Sequence, residues 1–422
     1  MCSASESSTF LRDVRAKRHV GSSRAIHPYF GKVDPALSLA AISRFSKAGA
    51  YVLDPFCGSG TVLHDAIVQG RNALGWDSSP LAAMIATAKV LGITAEESAE
   101  IHSFVERHVP TAATLFSAVG GGKAHRSTPE VPRMPRIRAI GDWFNENALR
   151  ELALLRQAIE DARDDLSPES FLLLRLSFSK IIVGASNQQG ESTYRRVSKP
   201  DQPGRVLELF QKACASTVKA AKAFNQELLT SLGVGARAKR LSVEASAYRV
   251  AHSSVSATIT VQDARSVDLT GQSSAADLVV TSPPYLMSWD YGLYHKFRFY
   301  WLGYDLDAYE DTEIGRHLRR KDDDVQRYEA DMAASFESLH TATTPNASLV
   351  MVNAPSVVYG REVDTNALLA AIATNAGWRL VWNGDTLDIP GPHHGMYGSL
   401  SGRGAYAPGS AGKKEHVLVL QK

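Results

Sequence analysis

Only three cysteines occur among 422 residues. Cys2, Cys57 and Cys214 stand far apart, with no Cys-x-x-Cys pair, which argues against a disulfide framework and against a structural zinc site. No stretch approaches the roughly 18 consecutive apolar residues that a membrane-spanning helix needs. The opening residues, MCSASESSTFLRDVRAKRH, are Ser-rich and charged where a secretion signal is apolar. A soluble, cytoplasmic protein with no membrane partner is expected. Excess charge of one sign is missing too: 46 Lys+Arg stand against 44 Asp+Glu, a net +2, which neither demands nor excludes a nucleic-acid partner. What is present is enough apolar material for a sizeable core, 44% of residues, in a chain long enough for two or three domains. No internal repeat or long low-complexity tract interrupts it.

The first hundred residues read as a βαβ unit: an apolar helical stretch over Pro35–Phe45, a short strand Tyr51–Leu53, a glycine turn, a helix from Thr61, and a strand Ala73–Asp77. From about residue 95 to 250 the pattern changes. Gly120-Gly121-Gly122 leads into a basic stretch punctuated by Pro129, Pro132 and Pro135, which should be a loop. Three helical patterns follow. Asn147–Arg163 has an apolar face. The second opens at Ser167-Pro168-Glu169, a cap followed by proline, and is apolar on nearly all sides, so this insert should have a core of its own. The third runs over Arg205–Leu232. Apolar strand-like runs return at Ala257–Val261, Asp277–Val280, Ser348–Val352 and His416–Leu420; the last three suit strands buried on both faces of a parallel or mixed sheet. The organisation expected is α/β, a doubly wound sheet divided between residues 1–95 and 251–422 by a mostly helical inserted domain over 96–250.

Three local features can carry chemistry. Asp54-Pro55-Phe56-Cys57-Gly58-Ser59-Gly60-Thr61 joins strand to helix, and its glycines let the backbone turn sharply and approach a ligand. Position 63, where a dinucleotide fingerprint has its third glycine, is Leu63. Asp77 ends the next strand, where a carboxylate can bind the two hydroxyls of a ribose, as in nicotinamide or S-adenosylmethionine cofactors, or can cap the helix that follows. Thr281-Ser282-Pro283-Pro284-Tyr285 directly follows an apolar strand. Its two prolines fix the backbone and leave carbonyl groups beside a hydroxyl and an aromatic face, a combination suited to a planar amine. Each feature alone is also compatible with a simple turn or strand end.

Together the segments Asp54–Thr61 and Thr281–Tyr285 resemble the cofactor motif and the catalytic motif of the S-adenosylmethionine-dependent amino-methyltransferases of DNA, which methylate cytosine N4 or adenine N6. The Ser-Pro-Pro-Tyr form is more typical of the cytosine branch, adenine enzymes usually having Asp or Asn at the position of Ser282. His27-Pro28-Tyr29-Phe30-Gly31-Lys32 is similar to the segment that closes over the methionine end of the cofactor, Asp77 to the ribose-binding acid, and Asp263 to the acid near the adenine ring. The stretches around Trp289-Asp290-Tyr291 and Glu415–Leu420 also resemble this family. The resemblance covers residues 24–92 and 257–420 and leaves the insert unmatched.

It implies a Rossmann-like methyltransferase fold and S-adenosylmethionine as cofactor, held by His27, Tyr29, Lys32, Asp54, Pro55, Phe56, Gly58, Gly60, Thr61, Asp77, Asp263 and Thr281. The catalytic set is Ser282, Pro283, Pro284 and Tyr285: acceptors from Ser282 or Pro283 help the exocyclic amine pyramidalise while Tyr285 stacks on the base. No covalent intermediate, cysteine nucleophile or metal is required, and His393-His394 reads as a loop pair without ligand spacing. The substrate implied is DNA, as in restriction–modification, with the base flipped from a duplex or already single-stranded. Phosphate contacts are expected from Lys123, Arg126, Arg133, Arg136 and Arg138 and from Arg195, Arg196 and Lys199, each cluster being equally readable as a solvated basic loop. Arg316–Lys321 is a third basic candidate, followed at once by Asp322-Asp323-Asp324. Trp143-Phe144 is assigned to the core of the insert rather than to base stacking.

Overall fold

Successive residues of the central strands feed two separate apolar layers: Val52, Leu278, Val280, Val350, Val352, Val417 and Val419 pack into one, and Leu53, Val279, Leu349, Met351, Leu418 and Leu420 into the other. That alternation is why the strands read as continuous apolar runs, since neither face of the sheet meets water. The computed structural model describes residues 22–29, 33–120, 135, 137–191, 193–233, 239–244, 246–266, 275–287, 290–316, 323–383, 387–388 and 414–422.

In chain order, α1 (Pro35–Phe45), β1 (Tyr51–Asp54), α2 (Thr61–Val68), β2 (Asn72–Asp77) and α3 (Pro80–Leu91) form the βαβ unit expected. The insert follows as α4 (Ala95–Gly120), α5 (Ile140–Trp143), α6 (Glu146–Asp161), α7 (Pro168–Ala185), a hairpin of β3 (Gln188–Gly190) and β4 (Thr193–Arg196), and α8 (Arg205–Leu232). The α7 cap is as expected, Ser167 accepting from the Ser170 N–H with proline in the first turn. Then come β5 (Arg240–Val243), β6 (Ala247–Ala251), β7 (Ser256–Val261), β8 (Ala276–Thr281), α9 (Tyr291–Leu302), α10 (Leu306–Thr312), α11 (Asp324–Ala342), β9 (Thr343–Asn353), the hairpin β10 (Ser356–Val358) and β11 (Arg361–Val363), α12 (Thr365–Asn375), β12 (Arg379–Asn383), β13 (Leu387–Asp388) and β14 (Lys414–Gln421).

One ten-stranded sheet has the order β12-β14-β9-β8-β1-β2-β7-β6-β5, with β13 beside β14. The run β7-β2-β1-β8-β9 is parallel; β14 runs against β9 and β12, and β6 runs against β7 and β5. The chain builds outward from β1 through β2 to β7, then returns to the other side of β1 to add β8 and β9. This reversal makes β1/β8 the switch point of a doubly wound sheet, where a crevice opens beyond the carboxyl ends of the strands.

The insert does not enclose a separate core. Leu152, Leu155, Leu173, Leu176, Phe210 and Phe224 from α6, α7 and α8 belong to the same buried cluster as Val52 and Ala257 of the sheet. Its helices cover the outer side of α3, so α3 is buried all round, from Leu81 to Leu91. Among the described residues no helix is long and apolar enough to cross a membrane.

Candidate functional site

The two turns singled out in the sequence meet. Asp54 ends β1 and Thr281 ends the neighbouring β8, and the Thr281 hydroxyl donates to Asp54 Oδ1 over 2.7 Å although 227 residues separate them. The same oxygen accepts from the Phe56 N–H at 3.2 Å, which closes the first bend of the glycine turn. Gly60 then caps α2 in the left-handed region (φ +74°), and a Cβ there would come within 2.8 Å of Ala86 Cβ and 2.9 Å of its Cα, so only glycine lets α2 and α3 meet behind the turn. Lys89, buried in α3, supports the turn from below by donating to Ser59 Oγ at 3.1 Å and Thr61 Oγ1 at 3.4 Å.

Asp77, at the end of β2, accepts from the Gly58 N–H at 2.8 Å and the Ser79 N–H at 2.9 Å. One carboxylate thus tethers the glycine turn and the start of α3 together. Asp263 lies just past β7, beside β2, so Asp54, Asp77 and Asp263 follow the ends of three successive strands despite the insert between the last two. Arg265 chelates Asp263 and reaches Asp331 of α11 at 2.7 Å, which fixes that corner.

The segment before α1 arches over the turn. Tyr29 lies against Gly58, where a Cβ would meet its ring at 3.1 Å, and it stacks on His295 (5.1 Å) and Tyr291 (6.2 Å) of α9. His27 is buried, with Nε2 paired to Ser179 Oγ at 3.0 Å and Nδ1 beside the Pro28 carbonyl. Both ring nitrogens are engaged inside the protein, so this histidine anchors the arch. Lys32 lies outside the described residues.

Beyond β8 the catalytic candidate is held at several points. Ser282 Oγ donates to Tyr285 OH at 3.3 Å, and Tyr285 OH to Glu415 Oε1 of β14 at 3.2 Å. Tyr328 takes the Pro284 carbonyl at 3.0 Å, and the Met287 N–H donates to the Gly315 carbonyl at 2.9 Å. Glu313 accepts from the backbone N–H groups of Tyr291 and Gly292 and faces Arg316, itself paired to Asp290 and Glu310. Arg316, the first residue of the third basic candidate, is therefore neutralised within the fold. Glu313 and Lys89 give no local sequence signal, because their importance comes from contacts with distant segments.

Burial dominates the electrostatics. It pushes Asp54 up to about 7 and Asp77 up to about 6, each partly offset by the hydrogen bonds it accepts. Burial and then the Asp290 charge raise Glu313 to about 8. The Cys57 thiol is pushed well up by burial and the charges of Asp77 and Asp54, and Cys214 up to about 12 by burial; both are buried free thiols, and neither is poised as a nucleophile. Desolvated carboxyl groups beside a glycine turn and an aromatic arch suit a ligand that brings positive charge and paired hydroxyls, and S-adenosylmethionine has both.

Residues 7–88 match the family model of the N6/N4 DNA methylases. Over that stretch, which holds the glycine turn and Asp77, the chain is similar to the amino-methyltransferases of DNA. Over 80 residues it is 38% identical to the type II methyltransferase M.MjaII of Methanocaldococcus jannaschii, a match covering 19% of this chain and 14% of that one. Over 135 residues it is 27% identical to the type II methyltransferase M.MvaI of Kocuria varians, covering 32% and 27%. The matched part thus spans between a seventh and about a quarter of these relatives. Among solved structures, the rRNA methyltransferase AviRa of Streptomyces viridochromogenes aligns with a TM-score of 0.33 at 11% identity over 96% of this chain and 88% of that one. TrmN of Thermus thermophilus aligns with 0.30 at 10% over 95% and 51%. Scores this low carry no weight for the fold, which rests on the strand order.

Of the expected phosphate contacts, Lys123, Arg126, Arg133 and Arg136 lie outside the described residues, as do Trp289 and His393-His394. Arg138 is exposed before α5, and Arg195 and Arg196 are exposed on β4, with Arg196 paired to Asp142 at 3.1 Å. Lys199 turns inward, Nζ on the Val183 carbonyl at 3.2 Å. Trp143 stacks on Tyr194 (4.7 Å), and Phe144 is buried against Phe297 (5.2 Å) and Trp301 (5.8 Å).

Proposed function

We propose that this protein is a site-specific DNA methyltransferase that methylates the N4 amine of cytosine, using S-adenosylmethionine. The observation that carries the reading is the Thr281–Asp54 hydrogen bond at the β1/β8 switch point, which sets the glycine turn and the Ser-Pro-Pro-Tyr turn side by side at the carboxyl edge of the sheet, where ligands of doubly wound sheets bind. Serine at position 282, where the adenine branch usually has Asp or Asn, favours cytosine. Tyr29 with Lys32, the turn from Asp54 through Pro55, Phe56, Gly58, Gly60 and Thr61, and Asp77, Asp263 and Thr281 hold the cofactor, while His27 keeps the arch in place. Asp77 receives the ribose hydroxyls, and Asp263 lies on the adenine side. When bound, the cofactor's sulfonium supplies the methyl electrophile.

The amine of cytosine is a weak nucleophile because its lone pair is delocalised into the ring. Ser282 acts on this directly: its O–H donates to Tyr285, so its lone pairs accept from an amine N–H, and the neighbouring backbone carbonyl accepts from the other. Withdrawing both protons from the ring plane localises the lone pair. Tyr285, steadied by Glu415, packs on the base, and Tyr328 and Gly315 keep the turn rigid while the base is presented. The insert, residues 96–250, recognises the target, with Arg138, Arg195 and Arg196 on phosphates.

Expression in a methylation-free host followed by single-nucleotide mapping of modified bases tests this: N4-methylcytosine at a short motif is the expected product. Modification confined to adenine defeats the base assignment, and methylated RNA with unmodified DNA moves the substrate class.

The buried carboxyls add a pH dependence. Asp54 near 7 and Asp77 near 6 must both be ionised to receive a cationic, hydroxyl-bearing ligand. Binding therefore expels protons as pH falls through these values, and affinity drops toward the acid side. Calorimetric titration should show cofactor affinity weaker on the order of tenfold at pH 6 than at pH 8, and the Asp54→Asn variant should flatten the curve. An equal affinity at both pH values contradicts the assignment.

A further inference from the structure

The β3–β4 hairpin is tied to α9 by a charge that never reaches water. Arg298, on α9, has a fully buried side chain. Its guanidinium donates to the Ser179 carbonyl of α7 at 3.1 Å, to His295 Nδ1 at 3.1 Å and to Glu191 Oε1, in the hairpin turn, at 2.7 Å. Because a guanidinium only donates, His295 Nδ1 must accept and its Nε2 bears the proton. His295 in turn stacks on Tyr29 of the arch over the glycine turn. One side chain thus links the helix after the catalytic turn, the insert, the arch and the hairpin.

This linkage is poorly optimised for stability. Among the described residues, Gln188 Oε1, Glu191 Oε2 and Tyr194 OH of the hairpin and His295 Nε2 are buried without a hydrogen-bond partner. A buried ion pair with an unsatisfied carboxylate oxygen is a costly way to hold two elements together, and apolar packing would serve better if stability were all that mattered. The pair does define a register: the hairpin cannot slide along α9 without stranding both charges. Lys296, the next-but-one neighbour of Arg298 on α9, lies over the Tyr194 ring at 4.3 Å and reinforces the same docking. Outward from this anchored base project Arg195 and Arg196.

We propose that the Arg298–Glu191 pair is a positioning device that holds the basic hairpin at a set distance from Ser282, so that phosphates gripped by Arg195 and Arg196 bring the target base to the catalytic turn. The proposal rests on the DNA-methyltransferase reading and adds to it the element that couples backbone grip to base delivery. Arg298 and Glu191 touch neither base nor cofactor; they act through the hairpin.

Steady-state methylation of a duplex containing the mapped site, with cofactor binding measured separately, tests it. Glu191→Gln keeps the shape and removes the charge. It should raise KM for DNA about tenfold and lower the melting temperature, because Arg298 stays buried without its counter-charge, while kcat and cofactor Kd stay near wild type. Arg195→Ala/Arg196→Ala should raise KM similarly and flatten its salt dependence, and adding Glu191→Gln to that double variant should change KM less than twofold, because the grip it positions is already gone. An unchanged KM in Glu191→Gln, or the same rise with and without the hairpin arginines, overturns the coupling. If Arg298 variants do not fold, Glu191→Gln decides alone, its side chain being a quarter exposed at the turn. Wild-type protein that modifies no DNA sinks the functional reading itself; wild-type activity on DNA with an indifferent Glu191→Gln sinks only the anchor.

Discussion

Replacing Asp77 by alanine should weaken S-adenosylmethionine binding on the order of a hundredfold, with turnover at saturating cofactor reduced only a few-fold. Two losses add. The carboxylate proposed to receive the ribose hydroxyls disappears, and the N–H groups of Gly58 and Ser79 lose the acceptor that ties the glycine turn to α3. Hydrogen bonds to a charged group contribute about 1.5–3 kcal/mol each, and about 1.4 kcal/mol corresponds to tenfold, so losing two acts at the level of a hundredfold. Asp77→Asn retains one acceptor oxygen and should fall between. Equilibrium binding of the labelled cofactor reads the first effect and single-turnover methylation the second. A turnover loss as large as the affinity loss would mean that Asp77 serves the reacting atoms as well as the ribose.

Ser282→Ala should do the reverse: turnover lower by roughly ten- to a hundredfold, cofactor Kd within about twofold. The hydroxyl stands beyond the carboxyl end of β8 and takes no part in the contacts that shape the glycine turn, which go through Thr281, Asp54 and Asp77. Loss of one preorganised polar group at a reacting centre costs about 10²–10³ in rate where it acts alone; in the proposed arrangement a backbone carbonyl still accepts from the amine, hence the lower range. Tyr285→Phe, which removes the link to Glu415 but leaves the ring, should cost less than Ser282→Ala. Comparable losses in turnover and in cofactor affinity for Ser282→Ala would contradict the division of roles between the two turns.

Much of this site could be read from residues near one another in sequence. The glycine turn and the Pro-Pro turn are local backbone devices, and the acidic strand ends follow from where apolar runs stop. The α7 cap and the bounds of α8 were equally legible, because caps and helical periodicity act within a few residues. The hairpin β3–β4 was not: two strands of three and four residues, rich in polar side chains, carry no alternation strong enough to announce them. Nor could basic residues be sorted by inspection. Arg195 faces outward, Lys199 points into the fold and Arg316 is matched by three carboxylates, although all three look alike in a string of letters.

From its order of residues alone, this protein was legible piecewise: a glycine turn after the first strand, a rigid Pro-Pro turn after a later one, and strands apolar enough to be dry on both sides. Tertiary structure decided which pieces meet. The return of the chain to β1 sets Thr281 against Asp54 across 227 residues, brings Glu415 under Tyr285 and buries the insert's helices in the same apolar cluster as the sheet. The physical reason is that apolar patterning tells each strand that both its faces must be covered but not by which partner. That choice is made only when all the layers close at once.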